Sequence, residues 1–406
     1  MATITPFRAL RYDPGLFHDL SPVLSPPYDV IDAQEQEALY NRSPHNVVRL
    51  ILGQESPADS ATDNRYTRAA RDFAAWQQQG ILRREGATAF YLIDHRFQVA
   101  GQPHSRLGFL ALLEFTDPIE GAVLRHEKTL AAPKEDRTKL LDAVPANLEP
   151  IFLVYPDDGG AIQALLRRFA EGQAPQGSGS LGGEEIRLWV VTDAALIRRV
   201  AAALAPSAVL IADGHHRFEV AYSRRQRHGA VMAYFASMAE PSLVVRPIHR
   251  VVSAGRRLEL EAVRGLCAVE PAADLAALNS WLEQERGPGR FGWSDGRRFY
   301  RMTVQPDRLE RWLKTSPFPG PVARLDVSLL HGLLLPSLGF NGAAIQYTAD
   351  AGKALGALGS AASVWLLRGI PLADVYDVAA QALTLPPKST YFYPKVPSGL
   401  AINPLA

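Results

Sequence analysis

Cysteine is nearly absent, since Cys267 is the only one in 406 residues. A single thiol can form neither a disulfide within the chain nor a thiolate metal cluster. A charge surplus is missing too. With 43 Lys and Arg against 42 Asp and Glu, the formal net charge is +1, and nothing in that balance points to nucleic acid. No run of about 18 apolar residues occurs, so no membrane helix is expected. The opening MATITPFRALRYDPG lacks the apolar stretch of a secretion signal. No internal repeat is visible, and the zinc-protease pattern HExxH does not occur. Together these absences lead us to expect a cytoplasmic protein with a small-molecule substrate and neither a nucleic-acid nor a membrane partner.

What is present is a long chain with alternating patterns. Its length exceeds what one core usually serves, so more than one domain is expected. Apolar spacing predicts helices over 33–41, 65–79, 140–144 and 195–204. Strands are expected over 89–97 and 107–115, joined around Gly101, and over 122–124, 149–155, 187–191 and 208–212. Residues 173–185, QAPQGSGSLGGEE, read as a flexible loop by composition. Further on come a strand over 243–250, a mainly helical stretch over 258–286 and a hairpin turning at Asp295-Gly296. Helical patterning returns over 327–335 and 375–383. The expected fold class is α/β (mixed α+β), a central mixed sheet with flanking helices and a smaller α+β lobe. Its parts are a core over 1–255, the lobe over 256–315, and a C-terminal helical segment over 316–406 packing on the core.

The stretch LIADGHHRFEVA, 210–221, carries the strongest signal. A short apolar run leads into Asp213-Gly214, and Phe218, Val220 and Ala221 then follow helical spacing. The first amides of a helix starting near His215 lack partners and lie at the positive end of its dipole, which favours an anion there. His215, His216 and Arg217 add donors, Gly214 admits a ligand close to the backbone, and Arg217 can grip a phosphate in bidentate fashion. An arginine so placed is expected to serve the ligand rather than the core. Asp213 is also a good helix N-cap. Ligand sites in α/β proteins favour such strand ends.

A second cluster, RHEKTLAAPKEDR, spans 125–137. Glu127 beside His126 can act as a general base if burial keeps its pKa high enough, while Lys134 and Arg137 can balance a phosphorylated ligand. Equally, a run of mixed charge reads as a solvated segment. Pro26-Pro27 forces an extended approach to Tyr28 and Asp29, which either contact substrate or hold a rigid turn. In PPKST, 386–390, the Lys-Ser-Thr lacks the glycines of a phosphate loop, yet Lys388 can still reach a ligand. Asp213, His215, His216, His126 and Glu127 are all metal-ligand types, but neighbouring histidines on a helix point about 100° apart, which argues against a built-in zinc site.

PPYDV at 26–30, HEKT and DR at 126–129 and 136–137, ADGHHRFE at 212–219 and PPKSTYFYPK at 386–395 occur in that order over nearly the whole chain. In these the chain resembles a large uncharacterised prokaryotic family known as domain of unknown function ten-fifteen. Its DGHHR turn is in turn similar to the phosphate-binding turn of the ParB and sulfiredoxin superfamily, which includes free serine kinases. That resemblance implies a ParB-like turn with Glu127 as catalytic base and the 213–217 turn as a nucleotide-phosphate site. It also requires an insertion or a different topology, because the motifs lie 86 residues apart (213 minus 127).

The expected function is a phosphotransferase or phosphatase acting on a small hydroxylated metabolite, serine or phosphoserine first among candidates. Glu127, His126 and Asp213 would do the chemistry, and Gly214, His215, His216 and Arg217 would hold a nucleotide, ATP or ADP. Tyr28, Asp29, Thr129, Lys134, Arg137 and Lys388 would contact substrate, and Asp213 would orient Mg²⁺ or cap the helix. The rivals are a non-catalytic nucleotide-binding switch and a metal-dependent hydrolase.

Overall fold

Alternating apolar residues on either side of Gly101 fold into the long hairpin at the middle of the larger sheet. In chain order its nine strands are β1 (Ile4–Thr5), β2 (Phe90–Val99), β3 (Gln102–Glu114), β4 (Val123–Leu124), β5 (Ile151–Tyr155), β6 (Gly177–Leu181), β7 (Glu184–Val191), β8 (Val209–Asp213) and β9 (Ala230–Ser237). They lie in the order β4-β8-β5-β9-β3-β2-β7-β6, with β1 pairing β3. The sheet is mixed: β4 runs parallel to β8, and β5 parallel to β9, while the other pairs are antiparallel. This computed structural model describes residues 1–406 except 100, 118, 120, 254–257, 285–286, 341, 359–361 and 406.

The helices of this part are α1 (Ala33–Arg42), α2 (Arg65–Gln78), α3 (Ala131–Ala143), α4 (Ala161–Glu171), α5 (Ala194–Leu204) and α6 (His215–Ser223). One face of the sheet offers Leu92, Phe109, Leu153, Ile211 and Phe235 to Ile162 and Leu166 of α4, Ile197 and Val200 of α5, and Phe218 of α6. Phe109 and Phe235 stack within it at 5.2 Å. Burying each such side chain contributes roughly 1.5–3 kcal/mol. The opposite face carries larger polar groups. Tyr234 lies across Gly108 there, in a gap that only glycine leaves open.

The chain forms two compact units: Met1–Arg125 with Thr129–Val244 and Pro394–Ala406, and His126–Lys128 with Val245–Tyr393. The second has a six-stranded antiparallel sheet of β10 (His249–Ser253), β11 (Cys267–Ala272), β12 (Arg290–Ser294), β13 (Phe299–Val304), β14 (Ala344–Thr348) and β15 (Ala362–Leu366). This corrects the three-part division. Strands β14 and β15 pair with β10, so much of the segment expected to pack on the core completes the sheet of this unit, and Pro394–Ala406 alone belongs to the first. The expected boundary at 255 lies outside the described residues.

Four other expectations change. The 173–185 segment is a hairpin of β6 and β7 turning at Gly182-Gly183, not a flexible loop; its glycines let another backbone come close, a Cβ at Gly179 falling 2.8 Å from Ser21 N. Within 258–286 the strand β11 separates Leu260–Arg264 from Leu275–Gln284, because pairing with β13 overrides an Ala-rich composition; residues 285–286 lie outside the described ones. The strand expected over 243–250 breaks at Pro247, which has no amide to donate, into Val244–Arg246 and β10. Helix α3 also begins nine residues before the 140–144 expected, its charged start having hidden the period.

A Cβ at residue 108 would lie 2.4 Å from Tyr234 Cζ and Oη and 2.5 Å from the Phe235 carbonyl oxygen. Since a backbone atom cannot step aside, Gly108→Ala is expected to lower stability by about 3 kcal/mol in urea unfolding. A loss under about 0.5 kcal/mol would show that the sheet yields there.

Candidate functional site

Strand β8 ends at Asp213 and α6 begins at His215, with Gly214 between them at φ +90. A side chain there would meet both a strained backbone and the Arg217 guanidinium, 3.1 Å from where a Cβ would sit. Gly214 is the N-cap of α6, and no side chain caps the helix. The Asp213 carboxylate, expected as a cap, turns instead to two cations: Oδ2 accepts from Arg217 Nη2 at 2.7 Å and Oδ1 from Lys395 Nζ. Burial would raise its pKa, but Lys395 and Arg217 beside it hold the carboxyl below the ordinary value.

Arg217 folds back into the protein. Its Nη1 donates to the Pro150 carbonyl, Nη2 binds Asp213, and only Nε lacks a hydrogen-bond partner. Buried Glu149, which the sequence reading passed over as the start of a strand, lies at the centre. Its Oε1 accepts from Tyr28 N and from Ser398 Oγ, each at 3.1 Å, and its Oε2 lies 3.5 Å from Arg137 Nη1. Burial raises the Glu149 pKa, and Arg217 and Arg137 oppose that rise.

Tyr28 and Arg137, both expected to touch substrate, touch each other. The Arg137 guanidinium sits 3.8 Å from the centre of the Tyr28 ring, donates to the Ile51 carbonyl at 2.9 Å and bonds Asp136. Burial pushes the Tyr28 hydroxyl up to about 12, leaving it a neutral donor. Asp29 is exposed. A cleft with room for about 60 Å³ of water opens beside Arg137, Glu149 and Arg217.

At the outer side of α6, Glu219 Oε2 accepts from Thr129 Oγ1 at 2.6 Å and from Lys134 Nζ at 3.1 Å. His216 Nε2 accepts from the Leu130 amide at 3.0 Å, so that nitrogen carries no proton. Burial drives the His215 pKa down to about 3 despite Asp213, and the ring is neutral at pH 7. The unit thus presents an uncapped helix start, neutral imidazoles, and cations that already hold one carboxylate. That combination suits an anion.

His126 and Glu127 belong to the other unit. There the Leu385 amide donates to the His126 carbonyl at 2.8 Å, and His126 Nε2 lies 3.0 Å from Thr390 Oγ1, so HEKT and PPKST meet. Glu127 is half-buried. Lys388 is exposed, with φ +57, and its carbonyl accepts from the buried Arg250 at 2.9 Å. The lysine of that motif that joins the 213–217 turn is Lys395, which the phosphate-loop comparison overlooked because it looked only at Lys-Ser-Thr. Among the described residues no group of three or more His, Cys, Asp or Glu is placed to hold a metal.

Comparison with known proteins gives a match of residues 4–328 to the model of the family described as Protein of unknown function (DUF1015). No curated protein matches the sequence. Among solved structures, C-terminally truncated SbnI from Staphylococcus aureus is 11% identical with a TM-score of 0.39, over 72% of this chain and 87% of that one. A free serine kinase in complex with AMP is 13% identical with a TM-score of 0.34, over 67% and 83%. A conserved hypothetical protein from Pyrococcus furiosus is 13% identical with a TM-score of 0.34, over 70% and 92%. At these scores the likenesses carry no conclusion about chemistry. No helix among the described residues is long and apolar enough to cross a membrane.

Two outcomes follow from the geometry. Arg217→Ala leaves Asp213 and Glu149 buried with less positive charge beside them, so it is expected to cost about 3–5 kcal/mol of stability. That reverses the sequence expectation of an arginine serving the ligand alone; a variant as stable as wild type in chemical denaturation would restore it. His215, with a folded pKa near 3 against an ordinary 6.5, refuses a proton that the unfolded chain takes up. Its contribution is complete above pH 6.5 and is lost as pH falls toward 3. Between pH 6 and 4, wild-type stability should fall more steeply than that of His215→Asn, by up to about 1.4 kcal/mol per pH unit. Parallel pH profiles would rule out a neutral buried His215.

Proposed function

Because the chain belongs to the family described as Protein of unknown function (DUF1015), a description that names no activity, we propose a function from the site itself. The protein is a phosphotransferase or phosphatase for a small hydroxylated metabolite, with serine or phosphoserine the leading candidate. The observation that carries this reading is the strand-to-helix turn itself: its N-cap is Gly214, held at φ +90 and without a side chain of its own, and Lys395 stands beside it on Asp213. Phosphates of ATP or ADP would lie at the positive end of the helix.

In this reading Glu127 is the general base. The chain carries it two residues before Thr129, whose hydroxyl is tied to Glu219 of α6. Glu127 would take the proton of the substrate hydroxyl as its oxygen bonds to the terminal phosphorus, while the bond from that phosphorus to the rest of the nucleotide breaks, releasing ADP from ATP or AMP from ADP. His126 would orient Glu127, and Thr129 and Lys134 would contact the substrate. Asp213 does not suit Mg²⁺ as it stands, since Lys395 and Arg217 hold its two oxygens. No step is therefore routed through a metal, and Asp213 acts by holding those two cations.

Glu127→Gln keeps the shape of the side chain but cannot accept the proton. Nucleotide binding in calorimetric titration should stay near the wild-type level, while phosphoryl transfer to serine, or release of phosphate from phosphoserine, drops at least about 100-fold. If wild type turns over neither substrate with any nucleotide or divalent metal but still binds nucleotide, a non-catalytic switch replaces this reading.

A further inference from the structure

Arg106 on β3 plays no part in the site above. Its side chain is wholly buried, and none of Nε, Nη1 and Nη2 makes a hydrogen bond. The guanidinium stands 4.7 Å from the ring centre of Phe152 and 5.4 Å from that of Tyr234. The Tyr234 hydroxyl lies close enough to Arg106 for the two to interact, which works against the rise that burial gives the phenol's pKa, although the pair falls short of full hydrogen-bond geometry. The nearby carboxylates have other partners: Asp94 accepts from Arg96 and Ser105, Glu184 pairs with His95, and Glu240 with Arg167 and Gln163. Stacking on two rings offsets only part of what burying a cation costs. Five donors thus stay unsatisfied in a place where each is costly.

The surroundings hold this cation in position. Phe152 is the cross-strand partner of Asp213 on β8 and of Tyr234 on β9, so the rings under Arg106 lie in the row of residues that ends at the α6 turn. Gly108, two residues along β3, lets Tyr234 lie flat against the sheet.

We propose that Arg106 is the receptor for the carboxylate of a small ligand, bound away from water beside the α6 turn. The two rings lie within cation–π distance of the guanidinium, whose planar fork matches a carboxylate with two parallel hydrogen bonds. This rests on the proposed function in one respect: it makes the hydroxylated metabolite a hydroxy or amino acid, with its hydroxyl toward the phosphates and its carboxylate on Arg106.

The test compares wild type with Arg106→Met and Arg106→Lys by thermal unfolding and titration, using L-serine, D-glycerate, acetate, serinol (which lacks the carboxylate), chloride and ADP. We expect Arg106→Met to be about as stable as wild type, since it removes a buried charge that has no well-formed hydrogen bond, while the nearby Glu240 keeps Arg167 and Gln163. The carboxylates should stabilise wild type and serinol should not. Affinity for the responding carboxylate should fall at least about 30-fold in both variants, and affinity for ADP should stay the same. A large loss of stability in Arg106→Met, unchanged carboxylate binding in the variants, or stabilisation of wild type by chloride or serinol as strongly as by carboxylates would overturn the proposal. Carboxylate binding lost on mutation, in a protein that transfers no phosphoryl group, would leave this inference standing and remove the function proposed above. Phosphoryl transfer unaffected in Arg106→Met would do the reverse.

Discussion

The turn at Asp213 depends on an ion network that the protein keeps out of water. Asp213, Arg217, Glu149, Arg137 and Lys395 come from four separate stretches of sequence, and each satisfies another. Alone, any of these charges would be driven to neutrality or out to solvent. Together they fix where β8 stops and how α6 begins. Arg217 does this by reaching back past Gly214 to the Pro150 carbonyl, which joins the turn to the start of β5. The turn is held by side chains behind it, and what the helix start itself contributes is Gly214 and the imidazoles of His215 and His216.

This arrangement changes how the motifs are understood. Residues that look like ligand contacts by type alone divide into two classes. Tyr28, Arg137 and Arg217 are engaged with protein and give the turn its rigidity. Gly214, His215, His216 and Thr129 border the helix start itself. A site built in this way is organised before anything binds, which reduces the ordering cost that a ligand must meet.

Much of the fold was legible because its signals are local. The hairpin around Gly101, the helices at 33–42 and 65–78, and the passage from β8 to α6 appear where apolar spacing and turn residues put them. What escaped was set by distant partners. Strand β11 is a strand because β13 lies beside it, and β6 tolerates its glycines because residues 20–21 press against it. The same holds at the site. DGHHR was legible as one strand-turn-helix, whereas Glu149 and Lys395 acquire their roles only where chain segments meet. Arg106 gave no signal at all, for it follows Gln102, His104 and Ser105 just before the apolar run from Leu107, and so looks like a solvated charge until its burial is known.

Lys395 sets an order of events in the life of the molecule. The unit that holds Asp213 is interrupted by residues 245–393 and resumes only at Pro394. While the chain is being synthesised, β8 and α6 are complete long before the lysine that neutralises Asp213 exists. Until residue 395 emerges, Asp213 has Arg217 alone, and a nascent chain carries the turn without its finished charge balance. The charge balance of this turn is therefore completed late in translation, and proteolytic loss of residues 394 onward would return a finished molecule to that unbalanced condition.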